Sequence, residues 1–135
     1  MLFNRFYQPD IDLKKEEITA GNIFSVPEEM STPLRWVGMM SKEVKCDLCA
    51  ATGIHDGYGI VKCLLAGAKA VQVVSAVYKK GARYIGAMLQ EIETWMSDHN
   101  YKTIGDFNGK LAQENIENPI LYERTQFMKY YSSRE

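Results

Sequence analysis

The sequence predicts an α/β fold in which parallel strands pack against helices. Two apolar runs, residues 44–51 and 70–77, lack the alternation of a half-solvated strand and read as strands covered on both faces. Each is followed by an amphipathic stretch with apolar residues three and four apart. The resulting order of strand, helix, strand, helix argues for parallel β-α units joined by right-handed crossovers.

The elements follow in chain order. Leu2 and Phe3 read as the end of a first strand. It runs into a long loop that reaches residue 31, with a short hairpin around 18–24. Thr32-Pro33 has the form of a helix start, a hydroxyl cap followed by proline at the first helical position. Leu34, Val37 and Met39 or Met40 continue that helix to about Ser41. The strand over 44–51 stops at a tight turn, Thr52-Gly53. Asp56 is placed to cap the next helix, whose buried face is Ile60, Val61, Leu64 and Leu65, and Gly67 closes it. After the strand over 70–77, Gly81 precedes a long helix with a stripe of Tyr84, Ile85, Met88, Leu89, Ile92, Trp95 and Met96. Thr103 caps a short helix through Phe107 that ends near Gly109. Asn118-Pro119 starts a last helix with Leu121, Phe127 or Met128, and Tyr131 apolar. The chain thus reads as one domain over 1–135: strand end and loop to 31, β-α units over 32–100, and a helical appendage over 101–135.

Composition narrows the function classes. A chain of 135 residues fits one domain of ~100–200 residues. With 46% hydrophobic and 24% charged residues it has the balance of a globular protein, which excludes a disordered tail. The 16 basic and 17 acidic residues nearly cancel, so no positive surplus exists to draw nucleic acid. No apolar run approaches the ~20 residues of a membrane span, and the N-terminus lacks the layout of a signal peptide. Neither a nucleic-acid nor a membrane partner is expected. Cys46, Cys49 and Cys63 fit a reducing cytoplasm. Cys46 and Cys49 have C-x-x-C spacing but no second ligand pair for zinc, and they fall in a predicted strand. All three read as structural.

In parallel α/β folds, ligands bind at the C-terminal ends of strands. Here those ends are Asn4-Arg5, the turn at 52–55 and the turn at 74–76. Thr52-Gly53 and Ser75-Ala76 each offer hydroxyl and N–H donors suited to a phosphate, and each also reads as an ordinary turn. His55 is either a donor to an anion or a solvated loop histidine. His99, at the end of the long helix, suits the helix dipole and carries no chemistry. Lys79 and Lys80 read as a solvated pair.

Several of these segments occur together in one order: Thr52-Gly53-Ile54-His55-Asp56-Gly57, Leu64-Leu65-Ala66-Gly67-Ala68, Val71-Gln72-Val73-Val74-Ser75-Ala76 and Lys80-Gly81. With Trp95-Met96 and residues 101–110, the set resembles the C-terminal part of class 1 dihydroorotate dehydrogenase, best over 50–111. Residues 3–10 resemble a divergent bacterial branch of that family. The resemblance implies an incomplete TIM (β/α)8 barrel, about three C-terminal β-α units with parallel strands plus C-terminal helices. A closed barrel takes ~250 residues.

The same resemblance implies an FMN-dependent oxidoreductase of the pyrimidine-biosynthesis type. In that family, hydride passes from C6 of dihydroorotate to flavin N5 while a base removes the C5 proton. The loops after the last two strands hold the FMN phosphate, and the matching positions are Thr52, Gly53, Val74 and Ser75. The family has Gly-Gly at the first pair and Gly followed by Thr or Ser at the second. Gly53 and Ser75 keep that pattern; Thr52 and Val74 depart from it, and their side chains narrow the approach. Asn4 matches an asparagine that contacts the pyrimidine. Arg5 replaces a short hydroxyl residue and is suited to bidentate pairing with a carboxylate. The family's base and flavin-contacting lysine lie in earlier β-α units without counterparts here. No residue of this chain is assigned as catalytic, and the chain is expected to be inactive alone. Two rival readings remain open: a non-catalytic truncated scaffold or oligomerising module, or part of another phosphate-binding barrel. Open sheet edges expose unpaired backbone groups, so a homo-oligomer is expected.

Overall fold

The computed structural model describes residues 8–123. The chain enters through an antiparallel hairpin of β1 (Pro9–Asp12) and β2 (Glu17–Ala20), with Pro9 opposite Ala20 and Asp12 opposite Glu17. Asp12 makes the turn: its Oδ1 accepts the N–H groups of Lys14 at 2.9 Å and Lys15 at 3.3 Å. The hairpin therefore lies ahead of the expected position at 18–24. A 3-10 turn, Pro27–Met30, then runs directly into α1 (Ser31–Met40). Thr32 is consequently inside the helix rather than its cap. Pro33 falls in the first turn, where its missing N–H has no partner to lose.

The expected strand over 44–51 is shorter than its apolar run. The N–H groups of Glu43 and Val44 both bond to the Met40 carbonyl at 3.1 Å, which prolongs the curl of α1. Only β3 (Cys49–Ala51) is extended. It leads through α2 (Gly57–Leu65) to β4 (Ala70–Gln72), parallel to β3 with Cys49 paired to Ala70 and Ala51 to Gln72. This strand-helix-strand unit bears out the α/β reading. The first expected strand end, Leu2-Phe3, lies outside the described residues.

The second expected strand also contracts. Ladder pairing stops at Gln72, and residues expected to extend the strand form α3 (Ser75–Lys80) instead. Nor is β4 covered on both faces: Ala70 and Gln72 are exposed, and Val71 alone packs inward. Its β-branched sequence resembles a doubly buried strand, but among the described residues its sole sheet neighbour is β3.

Both ends of α2 match their sequence signals. Asp56 Oδ1 accepts the Gly59 N–H at 2.7 Å, and Glu91 reaches across from α4 (Tyr84–Asp98) to accept the Gly57 N–H at 2.6 Å. Two carboxylates thus meet the positive end of the helix. At the other end, Gly67 adopts φ of 108°, its N–H bonding to Leu64 while that of Ala68 bonds to Cys63, a Schellman closure.

The helix is wedged between two apolar clusters. Cys63 and Ala66 join Val37, Ala50, Ile54 and Ala68 on one side; Val61 and Leu64 join Ile92 and Phe107 on the other. The stripe of α4 is narrower than its sequence suggests, because Met88 and Ile92 are buried while Ile85 and Leu89 stay exposed. Asn108 latches the following segment onto α2, its Nδ2 donating to Leu64 at 3.1 Å and to Ala68 at 2.7 Å. Farther on, α5 (Ile120–Glu123) seats Tyr122 against Gly38, where a Cβ would lie 2.3 Å from the ring. Phe127, Met128 and Tyr131 of the expected last helix lie outside the described residues. Among the described residues, no helix is long and apolar enough to cross a membrane.

Thr103 begins the short 3-10 helix Ile104–Asp106 as expected. The Asp106 carboxylate returns to accept the N–H groups of Thr103 at 2.7 Å and Lys102 at 2.9 Å. The bond from the Thr103 backbone, then that from its side chain, then that from Lys102 hold this carboxyl below its ordinary value of 3.8. Because the folded value is depressed, its stabilisation is present above the unfolded value and is lost as pH falls through the folded one. Urea midpoints of the native chain and Asp106→Ala should differ at neutral pH and draw together as pH falls below the ordinary carboxylate value. A gap that persists at the acid end would contradict this assignment.

Candidate functional site

Two strand ends build the site. Beyond β3, Thr52 and Gly53 have successive positive φ values of 80° and 76°. Gly53 is required sterically, because a Cβ there would lie 2.2 Å from the backbone nitrogen of Met30. Thr52 carries a β-branched side chain in a region that L-residues avoid, at a cost of about 1–2 kcal/mol. Beyond β4, Val74 is exposed and Ser75 opens α3.

These ends frame a cleft of about 160 Å³. Thr52, Gly53, Val74 and Ser75 all line it, with Ala51, Ile54 and Gln72 completing the strand side. All the phosphate positions expected from the sequence are therefore brought together. Across from them the loop ahead of α1 contributes Ile23 and Ser25. None of the described lining residues is ionisable.

Ser25 was not visible as a site residue in the sequence. It lies in an aperiodic loop, and its partner Ser75 is 50 positions away. Only 5% exposed, Ser25 donates its N–H to Ser75 Oγ at 3.0 Å and places its own Oγ 3.0 Å from the same atom. The Nε2 of His55 lies 3.2 Å from Ser25 Oγ on the other side. His55 is therefore half-buried and tied to the cleft, rather than a solvated loop histidine. The loop is held from outside as well, with the Phe24 ring 4.9 Å from that of Tyr78 and Lys79 Nζ 5.1 Å above it. Lys80 lies 3.9 Å over Tyr84, so the two lysines are engaged with rings rather than merely solvated.

The remaining candidates lie away from the cleft. Asn4 and Arg5 are outside the described residues. Cys46 is exposed, Cys49 half-buried and Cys63 buried. Burial first, then the neighbouring Cys49, pushes the Cys63 thiol up to about 12 against the opposing pull of Lys62. It is a neutral packing group and no nucleophile. His99 Nδ1 lies 2.8 Å from the Trp95 carbonyl and its ring stacks 4.3 Å from Trp95, a structural role as expected. No cluster of metal-ligating side chains occurs among the described residues.

No family model matches the chain. It is 31% identical over 115 residues to the catalytic subunit of dihydroorotate dehydrogenase B (NAD(+)) of Geobacter sp. strain M21, covering 82% of this chain and 37% of that protein. It is 28% identical over 91 residues to dihydroorotate dehydrogenase A (fumarate) of Lactococcus lactis strain IL1403, covering 67% and 29%. The chain is dihydroorotate dehydrogenase-like. It matches the C-terminal part of these relatives and spans about a third of their length. A crystal structure of the Eimeria tenella DHODH, in complex with ferulenol, superimposes with a TM-score of 0.60 over 71% of this chain and 25% of that one. At 21% identity, that likeness is one of fold.

At Thr52 the backbone keeps a conformation natural to glycine beneath a threonine side chain. Thr52→Gly should therefore raise the unfolding free energy by about 1 kcal/mol, read from urea midpoints. Unchanged or lower stability would show that the Thr52 side chain repays its strained backbone.

Proposed function

We propose that this chain holds the phosphate end of the FMN site in a dihydroorotate dehydrogenase-like oxidoreductase. The observation that carries the reading is the convergence of Thr52, Gly53 and Ser75 on one cleft, at the C-terminal ends of neighbouring parallel strands. In this reading β3 and β4 are the last two strands of an incomplete TIM barrel, the place where such barrels hold phosphate.

The cleft suits that group in chemistry and size. Three hydroxyls and a glycine backbone line it, and no carboxylate is among the described lining residues. Its volume of about 160 Å³ is below the ~300–1,000 Å³ of pockets that enclose a whole ligand. The cleft therefore fits the phosphate, while the flavin ring needs walls beyond it. Bound FMN would supply the two-electron acceptor for a dihydroorotate-like substrate. The part of this chain is to hold the phosphate and fix its orientation. Asn4 would meet the pyrimidine and Arg5 its carboxylate. The proton-transferring base and the flavin-contacting lysine belong to other β-α units, so the chain alone binds without turnover.

Fluorescence titration with FMN and with riboflavin, which lacks the phosphate, tests the reading. FMN should bind at least about tenfold more tightly, equivalent to ~1.4 kcal/mol. Equal affinities, or no FMN binding, would overturn it.

The open sheet favours a second reading, self-association. Ile11, Ile18, Val74 and Leu89 are exposed, and among the described residues β3 and β4 pair only with each other. Light scattering at rising concentration should show a dimer or larger species; a monomer throughout would contradict it.

A further inference from the structure

We propose that His55, Ser25 and Ser75 form a directional hydrogen-bond relay that aims the Ser75 hydroxyl proton into the cleft. Ser25 and His55 are then positioning residues for phosphate. The inference rests on the phosphate reading above and assigns two residues that the matching family positions do not include.

A hydroxyl has one proton to donate and two lone pairs to accept with. Ser75 Oγ accepts the Ser25 N–H at 3.0 Å, which fills one lone pair. Two orders keep the Ser25 proton among the three residues through the remaining contacts, Ser25 Oγ to Ser75 Oγ at 3.0 Å and Ser25 Oγ to His55 Nε2 at 3.2 Å. In one, His55 Nε2–H donates to Ser25 and Ser25 donates to Ser75. Both Ser75 lone pairs are then filled, and its proton is left for the cleft it lines. In the other, Ser75 donates to Ser25, Ser25 donates to an unprotonated Nε2, and the cleft faces a Ser75 lone pair.

An anion decides between them. Phosphate oxygens accept the Ser75 proton in the first order and face a lone pair in the second. Binding therefore selects the first order and fixes His55 with its proton on Nε2. Successive bonds in that order polarise one another toward the anion. Burial strengthens the selection, since Ser25 is only 5% exposed and water has little room to replace a missing link. The packing of Phe24 on Tyr78 keeps the strap that carries Ser25 in place. Among the described lining residues there is no lysine, arginine or carboxylate, and the relay supplies a directed proton there.

The test uses the full chain, with FMN and inorganic phosphate as probes and two readouts. Imidazole nitrogen shifts in NMR should assign His55 to the form protonated on Nε2 when either probe saturates the native chain. In titration, Ser25→Ala and His55→Phe should each weaken FMN binding about tenfold. Ser25→Thr, which keeps the hydroxyl, and His55→Gln, which keeps an N–H donor, should stay close to native affinity. A saturated native chain with Nε2 unprotonated would overturn the relay, and that measurement needs no variant to fold. Native affinity in Ser25→Ala and His55→Phe would also overturn the relay, leaving the phosphate site intact. Failure of the native chain to bind FMN would overturn the phosphate site, and the relay with it.

Discussion

At residue 53 the chain passes so close to the backbone of Met30 that no side chain fits between them. This approach ties the end of β3 to the turn that starts α1, and the loop before that turn is drawn across the ends of both strands. Ser25 thereby reaches Ser75, and the cleft acquires its second wall. The positive φ values at Thr52 and Gly53 are the local expression of the same constraint. The strain at Thr52 is sustained by surroundings that leave the backbone no easier path.

The rest of the fold holds those strand ends in register. Clusters on both sides of α2 fix the helix that joins β3 to β4. Small residues, Ala50, Ala66 and Ala68, let helix and sheet approach closely. The Glu91 carboxylate couples α4 to the start of α2, and Asn108 couples the C-terminal segment to its end. A cleft on so small a sheet depends on this bracing, because two three-residue strands carry few ladder bonds of their own.

The sequence was most legible where one local signal decided the structure. Asp56 and Gly67 mark the ends of α2 through backbone chemistry confined to a single turn, and both act as expected. It was least legible where an apolar run had to be divided. Val71, Val73, Val74 and Val77 have the composition of one long strand, yet strand length depends on backbone partners that no local pattern records. The site divides in the same way. Thr52, Gly53, Val74 and Ser75 were accessible because strand ends and family pattern coincide on them. Ser25 was hidden, since nothing around an aperiodic loop serine signals a partner across the fold. His55 was visible as a residue, but its environment was not: the serine that makes it part of the cleft comes from that same loop.

The chain thus joins a βαβ unit, a strained turn and a strap of loop into a cleft of about 160 Å³ within a dihydroorotate dehydrogenase-like sequence. The most direct test of the central claim is amide shift mapping of the full chain with FMN. The account predicts the largest changes at Ser25, Gly53 and Ser75. Changes centred instead near Gly38 and Tyr122, where α1 meets α5, or no changes at saturating FMN, would contradict it.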